Sequence, residues 1–376
     1  MDDLRKSFKH SQRIVIKVGT STLTYPNGKL NLNRIERLVR EMADLHNQGK
    51  EILLVSSGAI GIGANRMGLK RVPRTLPEKQ ALAAIGQGSL LHMYEKIFAE
   101  YGQTIAQVLL TRDDLNERIR YLNATNTLLA ILNMNVIPII NENDTVVVEE
   151  IRFGDNDTLS SLVAGIVNAD LLIILSDVDG LYDSDPRHNP DARLMSEVKE
   201  IDTSMEENAG TQGREFSTGG MLTKLRAARI CMAAGIPMVI ANSDEEQVIS
   251  RIVAGEMIGT LFVPKENRMH AREKWIAFGT VVNGIITIDQ GACTALLKKG
   301  KSLLPSGIQK VEGDFQRGDV VAVKDAGGRE IARGMVNYSA KEIGLIAGRR
   351  STEIENILGS KDYDEVIHRN NLWVNN

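Results

Sequence analysis

Only two cysteines occur in the 376 residues, Cys231 and Cys293, and neither has a partner at C-x-x-C spacing. That excludes a disulfide framework and the ligand spacing of a zinc site. The longest apolar runs are strand-sized, so no transmembrane span is read. Met1 to His10 are polar and charged and lack the apolar core of a signal peptide, so the chain is expected in the cytoplasm. Basic charge is not in excess: 45 Lys and Arg face 48 Asp and Glu, a formal net charge of -3. General polyanion binding by the whole chain is thereby excluded, although a local basic patch is not. Internal repeats and low-complexity tracts are missing. So are a G-x-x-x-x-G-K-[ST] loop and a G-x-G-x-x-G turn after a strand.

What is present is a globular composition, 43% apolar and 25% charged, enough for a core. Its length suits about two or three domains, or one large and one small. Apolar runs rich in β-branched residues predict strands at 13–21 (with its turn), 51–55, 103–110, 136–140, 169–175 and, as the last of the series, 237–241. Helical patterns lie between them at 31–48, 77–101, 120–133, 159–167 and up to Ala234. Regular alternation of strand and helix predicts βαβ units and a mainly parallel sheet. Residues 263–274 are charged and without period, which suits a linker. Beyond them Gly279, Gly284, Gly291, Gly300, Gly307, Gly313 and Gly318 punctuate short segments, so a small β-rich domain is expected over 275–376, with a polar end that frays. The first domain is then 1–262.

Two acidic, amide-rich stretches organise the chain. The strand ending at Ile140 runs into Asn141-Glu142-Asn143-Asp144, and Gly154-Asp155-Asn156-Asp157 opens an apolar helix. Ligands of open α/β sheets sit at the carboxyl ends of strands. The plainer reading is two turns whose Asn and Asp act as caps. Lys17 lies inside the first apolar strand, where a lysine needs a partner, a cleft or room to snorkel. Gly19 and the hydroxyls of Thr20, Ser21 and Thr22 follow it. Small residues from Ser56 to Gly63 fit either a ligand touching backbone N–H groups or close helix–sheet packing. Gly86-Gln87-Gly88, at the centre of a long helix, suits close packing or a mouth over the site. Ser176-Asp177 ends another strand and fits a nucleotide or Mg2+ site, or an Asx turn. The glycine-rich segment 210–220 leads into a helix start that can cradle phosphate, with Lys224 one turn in.

In this order, five segments resemble the amino acid kinase family, and within it the gamma-glutamyl kinases. They are Ile16-Lys17-Val18-Gly19-Thr20-Ser21, Ser56-Ser57-Gly58-Ala59-Ile60, Ile140-Asn141-Glu142-Asn143-Asp144, Gly154-Asp155-Asn156-Asp157, and Thr218-Gly219-Gly220-Met221-Leu222-Thr223-Lys224. Together they cover residues about 13 to 260. Leu303 to Ile308 and Phe315 to Val321 resemble a PUA domain. The resemblance implies an open, mainly parallel sheet sandwiched by helices, with a PUA-like domain behind it. It also implies ATP-dependent phosphorylation of the γ-carboxylate of L-glutamate, with Mg2+, feedback inhibition by proline, and a homo-oligomer, dimer or tetramer.

By the same resemblance Lys17 and Lys224 stabilise the transferring phosphoryl group and Asp157 holds them in position. Ser57, Gly58, Ala59, Asn141, Asp144, Asp155 and Asn156 bind glutamate. ATP falls to Lys17, Gly19, Ser176, Asp177 and the run from Thr218 through Gly219, Gly220, Met221, Leu222 and Thr223 to Lys224. Ser176 departs from the more frequent Thr but keeps the hydroxyl. No protein ligand is assigned to the metal. Competing readings are another amino acid kinase, acting on acetylglutamate, carbamate, aspartate or uridylate, and RNA binding through the C-terminal domain.

Overall fold

A computed structural model describes residues 2–25, 27–69, 71–73, 75–146, 155–184, 186, 189, 191–202, 205–206, 220–264 and 282–375. It divides into two compact units, Met1–Arg268 and Met269–Asn376. Most of the expected linker, 265–274, and the glycine-rich stretch up to Gly219 lie outside the described residues.

The first unit is built on β1 (Arg13–Val18), β2 (Glu51–Ser56), β3 (Ile105–Leu110), β4 (Ile137–Glu142), β5 (Leu171–Ser176), β6 (Glu197–Val198), β7 (Met238–Asn242) and β8 (Thr260–Phe262). Their order across the sheet is β3-β4-β2-β1-β5-β7-β8-β6. All neighbouring pairs are parallel except β7 with β8. The predicted last strand at 237–241 is therefore not the last. Three residues of β8 turn back along β7, and two of β6 pair with β8, runs too short to carry a period.

Among the helices that flank this sheet are α1 (Leu32–Asn47), α2 (Ala59–Arg66), α3 (Leu76–Glu100), α4 (Arg118–Asn133), α5 (Asn156–Ile166) and α6 (Met221–Ala233). Asn31 caps α1 by accepting from the Arg34 N–H. Along β1, Ile14, Ile16 and Val18 pack with Ile35, Leu38 and Met42 of α1 and with Leu90, Tyr94 and Phe98 of α3. Each such isoleucine contributes about 1.5–3 kcal/mol by leaving water. Alternation then turns Val15 and Lys17 to the opposite face, where α5 lies against β1, β2, β4 and β5.

Arg5, in the short helix Asp2–Ser7, closes the far edge. Its buried guanidinium donates to four carbonyls: Glu256 at 3.1 Å, Ile258 at 2.9 Å, Ser196 at 2.9 Å and Gly259 at 3.2 Å. Arg5→Ala should lower the unfolding free energy by on the order of 3 kcal/mol, because several buried acceptors lose their donor at once. A urea unfolding midpoint equal to wild type would contradict this.

In the second unit β9 (Gly284–Ile288), β10 (Ile308–Gly313), β11 (Val320–Lys324), β12 (Glu330–Met335) and β13 (Leu372–Val374) lie in the order β10-β9-β11-β12-β13. The helix Gln290–Lys299, capped by Asp289, and the helix Ala340–Ile346, with a Ser339/Glu342 capping box, cover its core. Nor does the polar tail fray throughout: Leu372 to Val374 pair antiparallel with Gly334 to Ala332.

Candidate active site

Parallel strands bring their carboxyl ends to one edge. Lys17 is the penultimate residue of β1, Ser56 the last of β2, Asn141 the penultimate of β4 and Ser176 the last of β5. The starts of α5 and α6 meet the same edge. Asp155 caps α5: its Oδ1 accepts from the Thr158 N–H at 2.7 Å and its Oδ2 from the Thr158 hydroxyl at 3.2 Å. This carboxylate, expected as a glutamate ligand, thus also starts the helix. Its burial raises its pKa, against the hydrogen bond from Thr158.

That cap places Asp157 in the first turn of α5, fully buried. Lys17 Nζ lies 2.6 Å from its Oδ1, and Lys224 Nζ, from α6, lies 3.4 Å from its Oδ2. The Thr223 hydroxyl sits 2.7 Å from Oδ2 and equally close to the Gly220 carbonyl. Both lysines are 5% exposed. Two buried ammonium groups therefore share one carboxylate, an arrangement that favours a further anion. Thr223, expected on the nucleotide, turns its side chain to this cluster.

Burial alone would raise the Asp157 pKa. The charges of Lys17 and Lys224, with hydrogen bonds from Lys17 and Thr223, outweigh it and hold the carboxyl far below the usual carboxylate range. Lys224 is lowered, first by burial and then by the Lys17 charge, with Asp157 opposing. A depressed carboxyl stabilises the fold above its unfolded pKa, and that stability is lost as pH falls through the folded value. The stability advantage of wild type over Asp157→Asn should therefore shrink as pH drops below about 4. Urea midpoints of both proteins across acid pH check this, and a constant difference would count against it.

Beside the charged cluster runs a chain of amides. Asn156 Nδ2 lies 2.7 Å from the Ser56 carbonyl, 2.9 Å from Ser57 Oγ and 2.8 Å from Asn141 Oδ1. Asn141 Oδ1 also accepts from the Glu142 N–H at 2.8 Å, and its Nδ2 donates to Gln87 Oε1 at 2.8 Å. Ser56 Oγ is 2.9 Å from the Tyr94 hydroxyl, whose pKa burial pushes up. Gly58 adopts φ +95°, a left-handed turn that aims the start of α2 at the same edge. Small residues after β2 serve helix–helix contact as well: a Cβ on Gly63 would fall 2.0 Å from the Leu82 carbonyl oxygen, and one on Gly86 1.7 Å from that of Ala59. α2 and α3 thus touch backbone to backbone, rather than helix to sheet.

Asp144 is half-buried two residues past β4, and Ser176 Oγ lies 3.2 Å from Asp177 Oδ1. Asp179 joins two segments near the latter, accepting from Asn242 Nδ2 at 2.8 Å and from the Tyr182 hydroxyl at 2.9 Å. Gly154, Thr218 and Gly219 lie outside the described residues. Gln87 and Tyr94 are the site-edge residues that motif reading left unassigned. Gln87, a carboxamide amid apolar helix residues, was the visible sign.

Residues 12–242 match the model of the amino acid kinase family, and residues 284–358 that of the PUA domain. The chain belongs to the amino acid kinase family. The family match begins just before β1 and takes in every side chain of the cluster and the amide chain. Among relatives, Glutamate 5-kinase of Moorella thermoacetica is 55% identical over 372 residues, 99% of this chain and 98% of that one. Glutamate 5-kinase of Caldanaerobacter subterraneus subsp. tengcongensis is 57% identical over 362 residues, 96% and 97% respectively. That of Trichormus variabilis is 49% identical over 366 residues, 96% and 99%. This amino acid kinase is thus matched along nearly its whole length, PUA domain included. No helix among its described residues is long and apolar enough to cross a membrane.

Proposed function

We propose that the chain transfers the γ-phosphoryl group of ATP to the γ-carboxylate of L-glutamate, giving L-glutamyl 5-phosphate and ADP. The observation that carries this reading is the buried Lys17–Asp157–Lys224 cluster beside the amide chain. Relatives about 55% identical over nearly the full length, named Glutamate 5-kinase, give the substrate.

Both reacting partners are anions, so the protein must supply fixed positive charge and hold them in line. Lys17 and Lys224 supply the charge, and Asp157 sets where the two ammonium groups stand. A γ-carboxylate oxygen forms the new bond to phosphorus while the bond from phosphorus to the bridging oxygen breaks toward ADP. No general base is needed, since the carboxylate is already ionised near neutral pH. Lys17, Gly19, Ser176, Asp177 and the run from Thr218 to Lys224 form the nucleotide side. Ser57, Gly58, Ala59, Asn141, Asp144, Asp155 and Asn156 form the glutamate side.

No group of three or more His, Cys, Asp or Glu that could hold a metal is found among the described residues. Asp157 is engaged by two lysines and Asp155 by a helix start. Mg2+ fits this site as an ion carried on the ATP phosphates, where it would neutralise their charge. Proline shares the α-carboxylate and ammonium of glutamate, and we read it as a competitor at the glutamate side. A cytoplasmic location and a homo-oligomer go with the same reading.

The test is trapping of the acyl phosphate with hydroxylamine, using ATP, Mg2+ and either L-glutamate, N-acetyl-L-glutamate or L-aspartate. Hydroxamate from L-glutamate alone, reduced by L-proline, is the expected result. Hydroxamate from another acid alone would replace the substrate. None from folded protein would refute the reading.

A further inference from the structure

Gln87 has no role in the reading above, yet it ends the amide chain. It sits on α3, nine-tenths buried at 9% exposure. Two backbone groups fix which way round every amide in the chain lies. The Ser56 carbonyl can only accept, so Asn156 must present its NH2 there. The Glu142 N–H can only donate, so Asn141 must present its oxygen. Asn141 then has only its NH2 to offer Gln87, and Gln87 must answer with Oε1. Two ends of the chain are left over. Asn156 Oδ1 is an acceptor and Gln87 Nε2 a donor, and neither makes a hydrogen bond among the described residues. An acceptor and a paired donor at the two ends of one short chain match the ammonium and carboxylate of an amino acid head group.

Strand order says which carboxylate. Along β4-β2-β1-β5 the edge carries, in turn, Asn141 with Gln87 above it, Ser57, Lys17 and Ser176. The lysines that meet the phosphoryl group stand on the β1 and α6 side. Gln87 stands at the other end, over β4. A substrate whose γ-carboxylate meets Lys17 has its α-carbon toward β2 and β4. We propose that Gln87 Nε2 donates to the α-carboxylate of glutamate and so helps select an α-amino acid. The proposal rests on the glutamate reading.

Gln87→Glu is the deciding variant. It keeps an oxygen for Asn141 Nδ2, so the amide chain stands, but it removes the donor. Gln87→Met removes both and serves if the charged variant fails to fold. The measurements are kcat/KM for L-glutamate, for 4-aminobutyrate, which lacks the α-carboxylate, and for glutarate, which lacks the ammonium. Inhibition constants replace them where turnover is too slow. In both variants the preference for glutamate over 4-aminobutyrate should fall about tenfold or more, the worth of a hydrogen bond to a charged group. The preference for glutamate over glutarate should hold, because both keep the carboxylate. If glutamate and 4-aminobutyrate decline together, or the ratio stays at its wild-type value, Gln87 merely props Asn141 and the proposal is wrong. Wild-type protein inactive on glutamate would overturn the functional reading itself, and this proposal with it.

Discussion

Lys224→Met should lower kcat by about 10²–10³-fold, as loss of one preorganised donor to a developing charge does elsewhere. Methionine fills much of the lysine's length without its charge. The fold should survive, because Asp157 keeps Lys17 at 2.6 Å and Thr223 at 2.7 Å. Asp157→Asn makes the contrast. It leaves two ammonium groups, each 5% exposed, without the carboxylate between them. Breaking a buried pair in that way costs about 3–5 kcal/mol, so that variant should lose stability as well as activity. Hydroxamate rates and thermal midpoints of the two proteins separate these effects. A kcat for Lys224→Met within about threefold of wild type would remove Lys224 from phosphoryl transfer.

Gly86→Ala should abolish most glutamate turnover without touching a reacting group. The new Cβ would lie 1.7 Å from the Ala59 carbonyl oxygen and 2.7 Å from the Gly63 nitrogen. These are backbone atoms, so the two helices must separate. Overpacking of this kind costs about 1–3 kcal/mol. The larger effect is positional. Ala59 begins α2 directly after Gly58 and Ser57, and Gln87 is the next residue on α3, so both walls of the glutamate side move. A misplacement of about 1 Å can cost about 10²-fold in rate. Nucleotide affinity should change little, since Ser176 and α6 lie across β1 from the disturbance. Calorimetric titration with ATP and hydroxamate assay with glutamate read the two sides separately. Equal loss on both would mean general unfolding, and wild-type turnover would mean that α2 and α3 have slack.

Why one half of the site was legible and the other was not follows from how each residue announces itself. A lysine inside Ile14 to Val18 has no apolar excuse, and Asp157 at a helix start supplies its partner. The lysine could be read from residue type and place, whereas Asp157 as its partner came from the family resemblance. Asp155 was ambiguous: an Asp that caps a helix and an Asp that binds an ammonium look alike in a sequence. Its contact with Thr158 shows the cap and does not exclude the other role. Thr223 carries a hydroxyl whose direction depends on where α5 lands against α6, which no local pattern encodes. β6 and β8 are two and three residues long, below any period, and owe their pairing to β7 and to each other. β1, β2, β4 and β5 were legible because burial on both faces leaves nearly unbroken apolar runs.

The clamp made by Arg5 sets an order of events during synthesis. Arg5 leaves the ribosome well before its four carbonyls, which belong to residues 196 to 259. β1, likewise early, waits for β5 at residues 171–176 to cover its second edge. At about 5–20 residues per second, that strand stays half-paired for about 8–30 s of elongation. A nascent chain of this protein therefore carries an open strand edge and an idle guanidinium until most of the first unit has been made. Its vulnerability to wrong pairing is greatest then, and ends when β8 arrives.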